Sequence, residues 1–166
     1  SEMCIRDSNY TASTRLILKQ CGLSDEDIDN RLIKVHGEAS NNDIIFGVED
    51  NAGIKKEHVF LRKAYNIKYK ALNFSELYDR IKSVAIFGHS LGETDHTYFN
   101  KLFQESCMYN KFSTNNNKEF WLFYYKENGY HCMMQQLDSL THNSLTSFRQ
   151  YNRVNFINTD KEKVFI

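Results

Sequence analysis

Ser90 stands at the centre of the stretch GHSLG, residues 88–92, which has the G-x-S-x-G spacing of a nucleophile elbow. In such a turn the serine hydroxyl attacks a carbonyl carbon, a histidine takes the hydroxyl proton, and a carboxylate orients the histidine. The apolar run SVAIF precedes the turn, as a strand precedes an elbow. One hypothesis from these residues is therefore a serine hydrolase that cleaves esters through Ser90.

The residues after Ser90 count against the hydrolase hypothesis. An elbow leads directly into a helix packed close to the sheet, whereas the polar residues ETDH follow the second glycine here. His131 and His142 fall in predicted helices, although the histidine base of that fold should follow a strand. The chain after Ser90 is also short for the rest of that fold. The His-Gly at 36–37, which is similar to an oxyanion-hole motif of some lipases, supports the hypothesis only weakly.

The predicted elements give the frame that must position these side chains. Apolar spacing and glycine stops predict helices over 11–22, 53–65, 75–82, 95–112 and, as one helix or two, 131–152. Short apolar runs predict strands over 31–37, 44–48, 83–88, 119–126 and 153–158. The acidic stretch 24–30 indicates a solvated turn or a short helix start, and ENGY at 127–130 indicates a turn. The expected caps are Ser75 for one helix and Thr94 or Asp95 for another, and the expected inward residues of 53–65 are Ile54, Val59 and Phe60.

This alternation of helices and strands, without a repeat, predicts an α/β fold with a mostly parallel, Rossmann-type sheet and flanking helices. The run at 83–88 is apolar throughout, which indicates a central strand buried on both faces. Ligands of such sheets bind at the carboxyl ends of the strands. Since Gly37, Gly47 and Gly88 end predicted strands, the residues just past them are candidates for a site.

Composition excludes several classes of partner and location. Lysine plus arginine equals aspartate plus glutamate at 21 each, so the charge balance gives no indication of a nucleic acid or an anionic membrane surface. The longest apolar runs are far too short to span a membrane, and no secretory signal is visible. The four cysteines have neither pairing nor metal-ligand spacing, as expected of free thiols in a reducing cytoplasm.

The acidic residues near the candidate turns indicate no metal site. Glu93, Asp95 and His96 lie close together in sequence, but their spacing is not one that a metal ion demands. The acids after the two earlier predicted strands are expected to be solvated loop residues; these are Glu38, Glu49 and Asp50. The sequence therefore predicts no bound metal.

Four stretches together resemble one protein family. They are NYTAS (9–13), VHGEASNNDIIFGVED (35–50), AIFGHSLGETDHTYF (85–99) and FWLFYYKENGY (120–130). Their order and spacing are similar to those of the bacteriophage abortive infection AbiH family, from Asn9 over nearly the whole chain. That family in turn looks distantly like sirtuin-like domains, which include NAD-consuming effectors of bacterial phage defence.

This resemblance implies roles for individual residues. Asn9 matches an asparagine that positions the nicotinamide ribose, and His36, followed by Gly37, matches the general base of a His-Gly motif. Gly88 and Ser90 match the glycine and serine of a turn that holds ribose or phosphates of the cofactor. His89 and Asp95, in the same block, complete the expected cofactor-binding set, although Asp95 suits the N-cap of the next helix equally well.

The implied function is that of an antiphage protein that binds NAD or a related nucleotide and hydrolyses it after infection. NAD would be a substrate or ligand rather than a permanently held cofactor, and a phage product would act as the trigger. Besides the serine hydrolase, a nucleotide-sensing module that binds without cleaving remains open. Ser90 is a hydrogen-bonding group in both nucleotide hypotheses and a nucleophile in the hydrolase.

The start of the chain departs from the family pattern. Its first eight residues, SEMCIRDS, are similar to a translated sequencing adapter of the kind found in metagenomic gene calls, so residues 1–8 are expected to be non-native. Family members begin with a glycine-rich turn of the type GNGFD, which is similar to a phosphate-cradling turn and is absent here. Residues 9–166 are therefore expected to be the C-terminal part of one AbiH-like domain, and this piece is expected to be inactive alone.

Overall fold

The computed structural model describes residues 5–7, 11–34, 36–42, 44, 47–48, 52–62, 65, 78, 81–108 and 117–161. The chain divides into two compact units, Ser1–Leu72 and Asn73–Ile166. Both are mixed α/β structures with parallel strands, which confirms the predicted fold class. Among the described residues no helix is both long and apolar enough to cross a membrane.

The first unit pairs two short strands in parallel. Its strands and helices are β1 (Ile5–Asp7), α1 (Ser13–Gln20), α2 (Asp25–Arg31) and β2 (Leu32–Lys34). Ile5 lies opposite Leu32, and Asp7 lies opposite Lys34, so the carboxyl ends of β1 and β2 coincide. The predicted helix over 11–22 is confirmed, and the acidic stretch forms α2. Ser24 caps α2 by accepting a hydrogen bond from the Asp27 N–H at 3.1 Å.

Ion pairs join the two helices of this unit at their exposed sides. The Arg15 guanidinium contacts the carboxylates of Asp25 and Asp29, and the Lys19 ammonium lies 2.8 Å from Asp25. No residue of α1 is buried, while Ile28 of α2 is fully buried. The described part of this unit therefore has a small apolar core and a charged helix pair on its surface.

Two element predictions in the first unit are wrong. Within the described part of 44–48, Ile44 and Gly47 lie outside strands, and Val48 forms only an isolated bridge to Arg62. Residues 53–65 hold a 3-10 helix over Lys56–Leu61 rather than an α-helix, and Phe60 is 66% exposed rather than inward. Val59, Phe60 and Leu61 are adjacent in sequence, so their side chains point in different directions around the helix axis and do not share one buried face.

The second unit carries a three-stranded parallel sheet. Its elements in chain order are β3 (Ser83–Ile86), α3 (His96–Ser106), β4 (Glu119–Tyr124), α4 (Lys126–Leu140), α5 (Leu145–Tyr151) and β5 (Arg153–Asn158). The strand order is β3-β4-β5, with Ser83 opposite Glu119 and Glu119 opposite Arg153. The predicted strands 119–126 and 153–158 are confirmed.

The core of this unit lies on one face of the sheet. Phe120 and Leu122 alternate along β4 and are fully buried against Phe103 of α3 and Phe148 of α5. The Phe120 and Phe148 rings meet edge to face with centroids 4.8 Å apart. Each such buried side chain stabilises the fold by about 1.5–3 kcal/mol relative to an exposed one. The sheet therefore holds its helices through alternate residues of the strands.

The position of β3 corrects another prediction. The strand was expected to be central and buried on both faces, but β4 lies in the middle and β3 ends the described sheet. Ser83 and Ala85 of β3 are exposed, whereas every described residue of β4 is at least half-buried. The two strands differ in burial because β4 carries large aromatic or aliphatic side chains on both faces, while β3 carries them on one face only.

Three helix predictions also need adjustment. ENGY is not a turn but lies within α4, because one glycine costs a helix only about 1 kcal/mol and the buried residues further along α4 offset that cost. Residues 131–152 belong to two helices, which separate where His142 and Asn143 adopt left-handed backbone angles. The predicted helix over 95–112 is confirmed as far as Ser106. Ser75 and most of the predicted helix 75–82 lie outside the described residues.

Candidate functional site

The loop between β3 and α3 contains the GHSLG stretch. Gly88, two residues past the end of β3, has a φ of 64°, a left-handed angle that glycine adopts without strain. A Cβ at Gly88 would meet nothing within 4 Å, so the backbone angle rather than crowding favours glycine there. A 3-10 turn at Glu93–Asp95 then leads into α3. The turn thus lies at the carboxyl end of a parallel strand, where α/β proteins bind ligands.

His89 closes this turn with both ring nitrogens. Its Nδ1 accepts a hydrogen bond from the Leu91 N–H at 2.9 Å, so Nδ1 carries no proton. The proton of the neutral ring is therefore on Nε2, which lies 3.3 Å from Oδ2 of Asp95. Asp95 occupies the N-cap position of α3, but among the described residues its carboxylate caps no backbone N–H of that helix. His89 and Asp95 together fix the shape of the loop.

Leu91 is held in place from the other side. Its backbone has a φ of 54°, which is strained for a leucine, and its side chain is fully buried in the core. The His96 Nε2 lies 3.1 Å from the Leu91 carbonyl oxygen and 2.8 Å from Oε1 of Gln136 on α4. Because a carbonyl oxygen only accepts, His96 Nε2 carries a proton and donates to it. No local pattern in the sequence indicates Gln136, which reaches the turn only through the packing of α4 against α3.

Ser90 is the exposed residue at the tip of the turn. In the part of the chain that the structure describes, neither His89 nor His96 hydrogen-bonds its hydroxyl, since the ring nitrogens of both histidines contact other groups. The left-handed residues of the turn are Gly88 and Leu91 rather than the serine, and α3 begins only at His96. This geometry differs from a nucleophile elbow, in which the serine itself occupies a sharp turn between strand and helix.

A second group of predicted residues follows β2 in the first unit. His36 is 6% exposed, and Gly37 is buried with a left-handed φ of 76°. Glu38 was expected to be a solvated loop acid, but it is only 8% exposed. Its carboxylate accepts a hydrogen bond from the Ser40 hydroxyl and lies 3.6 Å from the Lys34 ammonium. Because a buried carboxylate needs such partners, they explain how Glu38 can leave the solvent.

Lys34, the last residue of β2, links three segments of the first unit. Its Nζ lies 2.7 Å from Oδ2 of Asp7, the last residue of β1, and it also contacts the Thr11 carbonyl oxygen. The Lys34 and Asp7 side chains are both largely buried. Sequence reasoning missed this pair, because the partners are 27 residues apart and only the parallel register of β1 and β2 brings them together.

The predicted site residues therefore fall into two groups. Gly88, His89, Ser90 and Asp95 lie in one loop of the second unit, while His36 and Gly37 lie in the first unit. Asn9, Glu49 and Asp50 are outside the described residues. Over the described ranges, no three histidine, cysteine, aspartate or glutamate side chains are arranged to hold a metal ion. Both groups contain side chains that can donate or accept hydrogen bonds.

Comparison with known proteins identifies a family. The model of a family described as "Bacteriophage abortive infection AbiH" matches residues 6–116, about two thirds of the chain. The match includes both the His36 turn and the loop that contains Ser90. No curated protein and no solved structure matches the chain.

Proposed function

The chain belongs to the bacteriophage abortive infection AbiH family, and from that premise we propose that it binds NAD or a related nucleotide and hydrolyses it. Membership in the family gives the chain a role in abortive infection, the defence in which an infected bacterium stops phage propagation. Loss of a nucleotide that the cell needs would arrest the infected host. A phage product would act as the trigger.

The observation that supports nucleotide binding is the turn at the carboxyl end of β3. Gly88 has a left-handed backbone with open space around its Cα, and Ser90 offers an exposed hydroxyl two residues later. Such a turn presents backbone N–H groups and a hydroxyl to the oxygens of ribose or phosphate. The His89 ring bonds the Leu91 N–H and contacts the Asp95 carboxylate, so the turn has its shape without a ligand.

His36 is the proposed base for hydrolysis. In the proposed reaction one water molecule adds across the N-glycosidic bond, whose electron pair leaves with nicotinamide while the water oxygen bonds to the ribose carbon. The proton released is taken by the His36 imidazole, a group suited to proton transfer near neutral pH. Burial of His36 beside Gly37 would keep bulk water away from it. Asn9 is proposed to position the ribose.

The test follows nicotinamide release from NAD. The 166-residue chain and the longest reading frame that contains it are purified, and each is incubated with NAD alone and with lysate of phage-infected cells. His36→Ala is compared with His131→Ala, because His131 is an exposed helical histidine outside both groups. NAD binding is measured by calorimetry on the same proteins and on Ser90→Ala, with exposed Ser139→Ala as its control.

We expect the protein from the longest reading frame to release nicotinamide and the 166-residue chain to release none. His36→Ala should abolish this release and His131→Ala should leave it intact, with NAD binding retained in both. Ser90→Ala should weaken NAD binding, whereas Ser139→Ala should not. Binding without release under every condition would replace hydrolysis by nucleotide sensing. Cleavage of ester substrates that depends on Ser90, without NAD binding, would instead revive the serine hydrolase and reject the nucleotide proposal.

A further inference from the structure

We propose that Phe87 forms the stacking surface for the aromatic base of the nucleotide, so that this residue selects ligands that carry a planar base. The inference rests on the proposed function, because it assigns a base to the ligand of the Gly88–Ser90 turn. It goes beyond that function by naming the residue that recognises the base. Neither the sequence motifs nor the family resemblance singled out Phe87.

The first observation is where Phe87 lies. It is the residue between the end of β3 and Gly88, and it is 51% exposed. The preceding Ile86 is almost completely buried in the core. Phe87 contacts Phe123 of β4, which alternates with the buried Leu122, so the two rings lie on the face of the sheet away from the helical core. A large apolar ring is thus presented beside the candidate binding turn.

The second observation is that a neighbouring ring supports Phe87. The Phe123 ring of β4 meets it edge to face, with centroids 5.5 Å apart and an interplanar angle of 69°. Such an arrangement is a preferred geometry for aromatic pairs and restricts the motion of the exposed ring. A ring that is already held in place loses little conformational freedom when a base stacks on it. Phe123 therefore prepares Phe87 for stacking.

The chemistry of the two neighbouring groups is complementary. The Gly88–Ser90 turn supplies polar groups that suit ribose and phosphate, but it has no apolar surface for a base. An exposed aromatic ring binds any planar base through its π-face, with a contribution of about 1–3 kcal/mol per base. A ligand that joins a base to a phosphorylated ribose matches both groups at once. Phosphate or ribose phosphate alone uses only the turn.

The test compares three substitutions in the intact chain. Phe87→Leu removes the aromatic ring but keeps apolar volume, Phe87→Trp keeps an aromatic ring, and Phe60→Leu is the control for loss of an exposed phenylalanine elsewhere. Calorimetry measures NAD binding, and ribose 5-phosphate, which lacks a base, is measured as a competitor. We expect Phe87→Leu to weaken NAD binding on the order of 10- to 100-fold. Phe87→Trp and Phe60→Leu should bind NAD like the wild type.

Each outcome decides a different point. Unchanged NAD binding by Phe87→Leu would overturn the stacking inference while leaving the proposed function in place. An equal loss for NAD and for ribose 5-phosphate would also overturn it, because Phe87 would then shape the turn rather than contact the base. A loss of NAD affinity in Phe87→Trp as large as that in Phe87→Leu would likewise overturn the stacking inference. A wild-type chain that binds no nucleotide would reject the proposed function and the inference together.

Discussion

At the scale of single residues, Leu91 explains why the loop after β3 holds its shape. A left-handed backbone costs a leucine roughly 1–2 kcal/mol. The complete burial of the leucine side chain in the core stabilises the fold by about the same free energy or more. The carbonyl bond to His96 and the N–H bond to His89 add further support. Leu91 thus anchors the turn, and its neighbours Gly88 and Ser90 are left open to solvent.

The contact of His96 with Gln136 gives a prediction at this scale. Gln136→Ala removes the amide oxygen 2.8 Å from His96 Nε2, which loosens the ring that holds the Leu91 carbonyl. We expect the free energy of unfolding to fall by about 1 kcal/mol, the usual net value of a hydrogen bond. Urea denaturation followed by Trp121 fluorescence provides the measurement, since Trp121 is the single tryptophan.

The neighbouring residue supplies the control. Gln135 is exposed on the same helix, so Gln135→Ala should change the free energy of unfolding by less than about 0.5 kcal/mol. Equal effects of the two substitutions would show that the contact with His96 adds nothing to the stability, because the gain in helix propensity from glutamine to alanine is the same at both positions.

At the scale of elements, Lys118 joins the segments that enter β3 and β4. It precedes β4, is 1% exposed, and donates hydrogen bonds to the carbonyl oxygens of Tyr78 at 2.6 Å and Ile81 at 2.7 Å. Its ammonium also lies 4.0 Å from the centroid of the Tyr78 ring, a cation–π contact. Lys118 thus adds a side-chain link between the segment before β3 and the start of β4, beside the backbone pairing of the two strands.

Removal of the Lys118 charge should destabilise the second unit. Lys118→Met keeps the aliphatic chain but leaves two buried carbonyl groups without their charged donor, so we expect a loss of about 2–4 kcal/mol in the free energy of unfolding. Lys101→Met is the control, because Lys101 is exposed on α3. Thermal and urea unfolding of both variants test the expectation. A loss under 0.5 kcal/mol for Lys118→Met would mean that its bonds to Tyr78 and Ile81 add nothing net.

At the scale of the whole molecule, the two units bury very different apolar surfaces. Among the described residues, ten buried hydrophobic side chains form one cluster in the second unit, whereas Ile28 is the buried hydrophobic side chain of the first. The first unit depends instead on exposed ion pairs and on the Lys34–Asp7 pair. Exposed ion pairs contribute little, so the first unit should be the less stable one.

Hydrogen exchange tests this difference in stability. Amides of α1 and α2 should exchange roughly tenfold faster or more than those of β4 and α4, since local opening is easiest where little apolar surface is buried. Mass spectrometry of peptic peptides from the native chain resolves these segments. Similar protection across both units would contradict the expectation and would indicate that they unfold together.

The sequence by itself determined the class of the fold and the family. Alternating apolar runs and helical stripes are local patterns, and they correctly placed α1, most of α3 and the strands β4 and β5. The same patterns predicted an α-helix over 53–65 and a central strand at 83–88. The structure has a 3-10 helix in the first of these ranges, and in the second it has a strand at the end of the described sheet. Local periodicity shows where apolar side chains lie along the chain. The order of the strands in a sheet depends instead on which strands pair with each other.

Only the tertiary structure decided the surroundings of the site residues. Glu38 and Lys118 are buried because partners close in space satisfy their charges, and the Tyr78 carbonyl that Lys118 binds is 40 residues away in the chain. Gln136 reaches His96 across the same separation. Side chains so far apart in sequence leave no local pattern, because packing and hydrogen bonding select them only after the helices have docked on the sheet. The chemistry of Ser90 was therefore open in the sequence, and only the folded loop shows that its geometry differs from that of a nucleophile elbow.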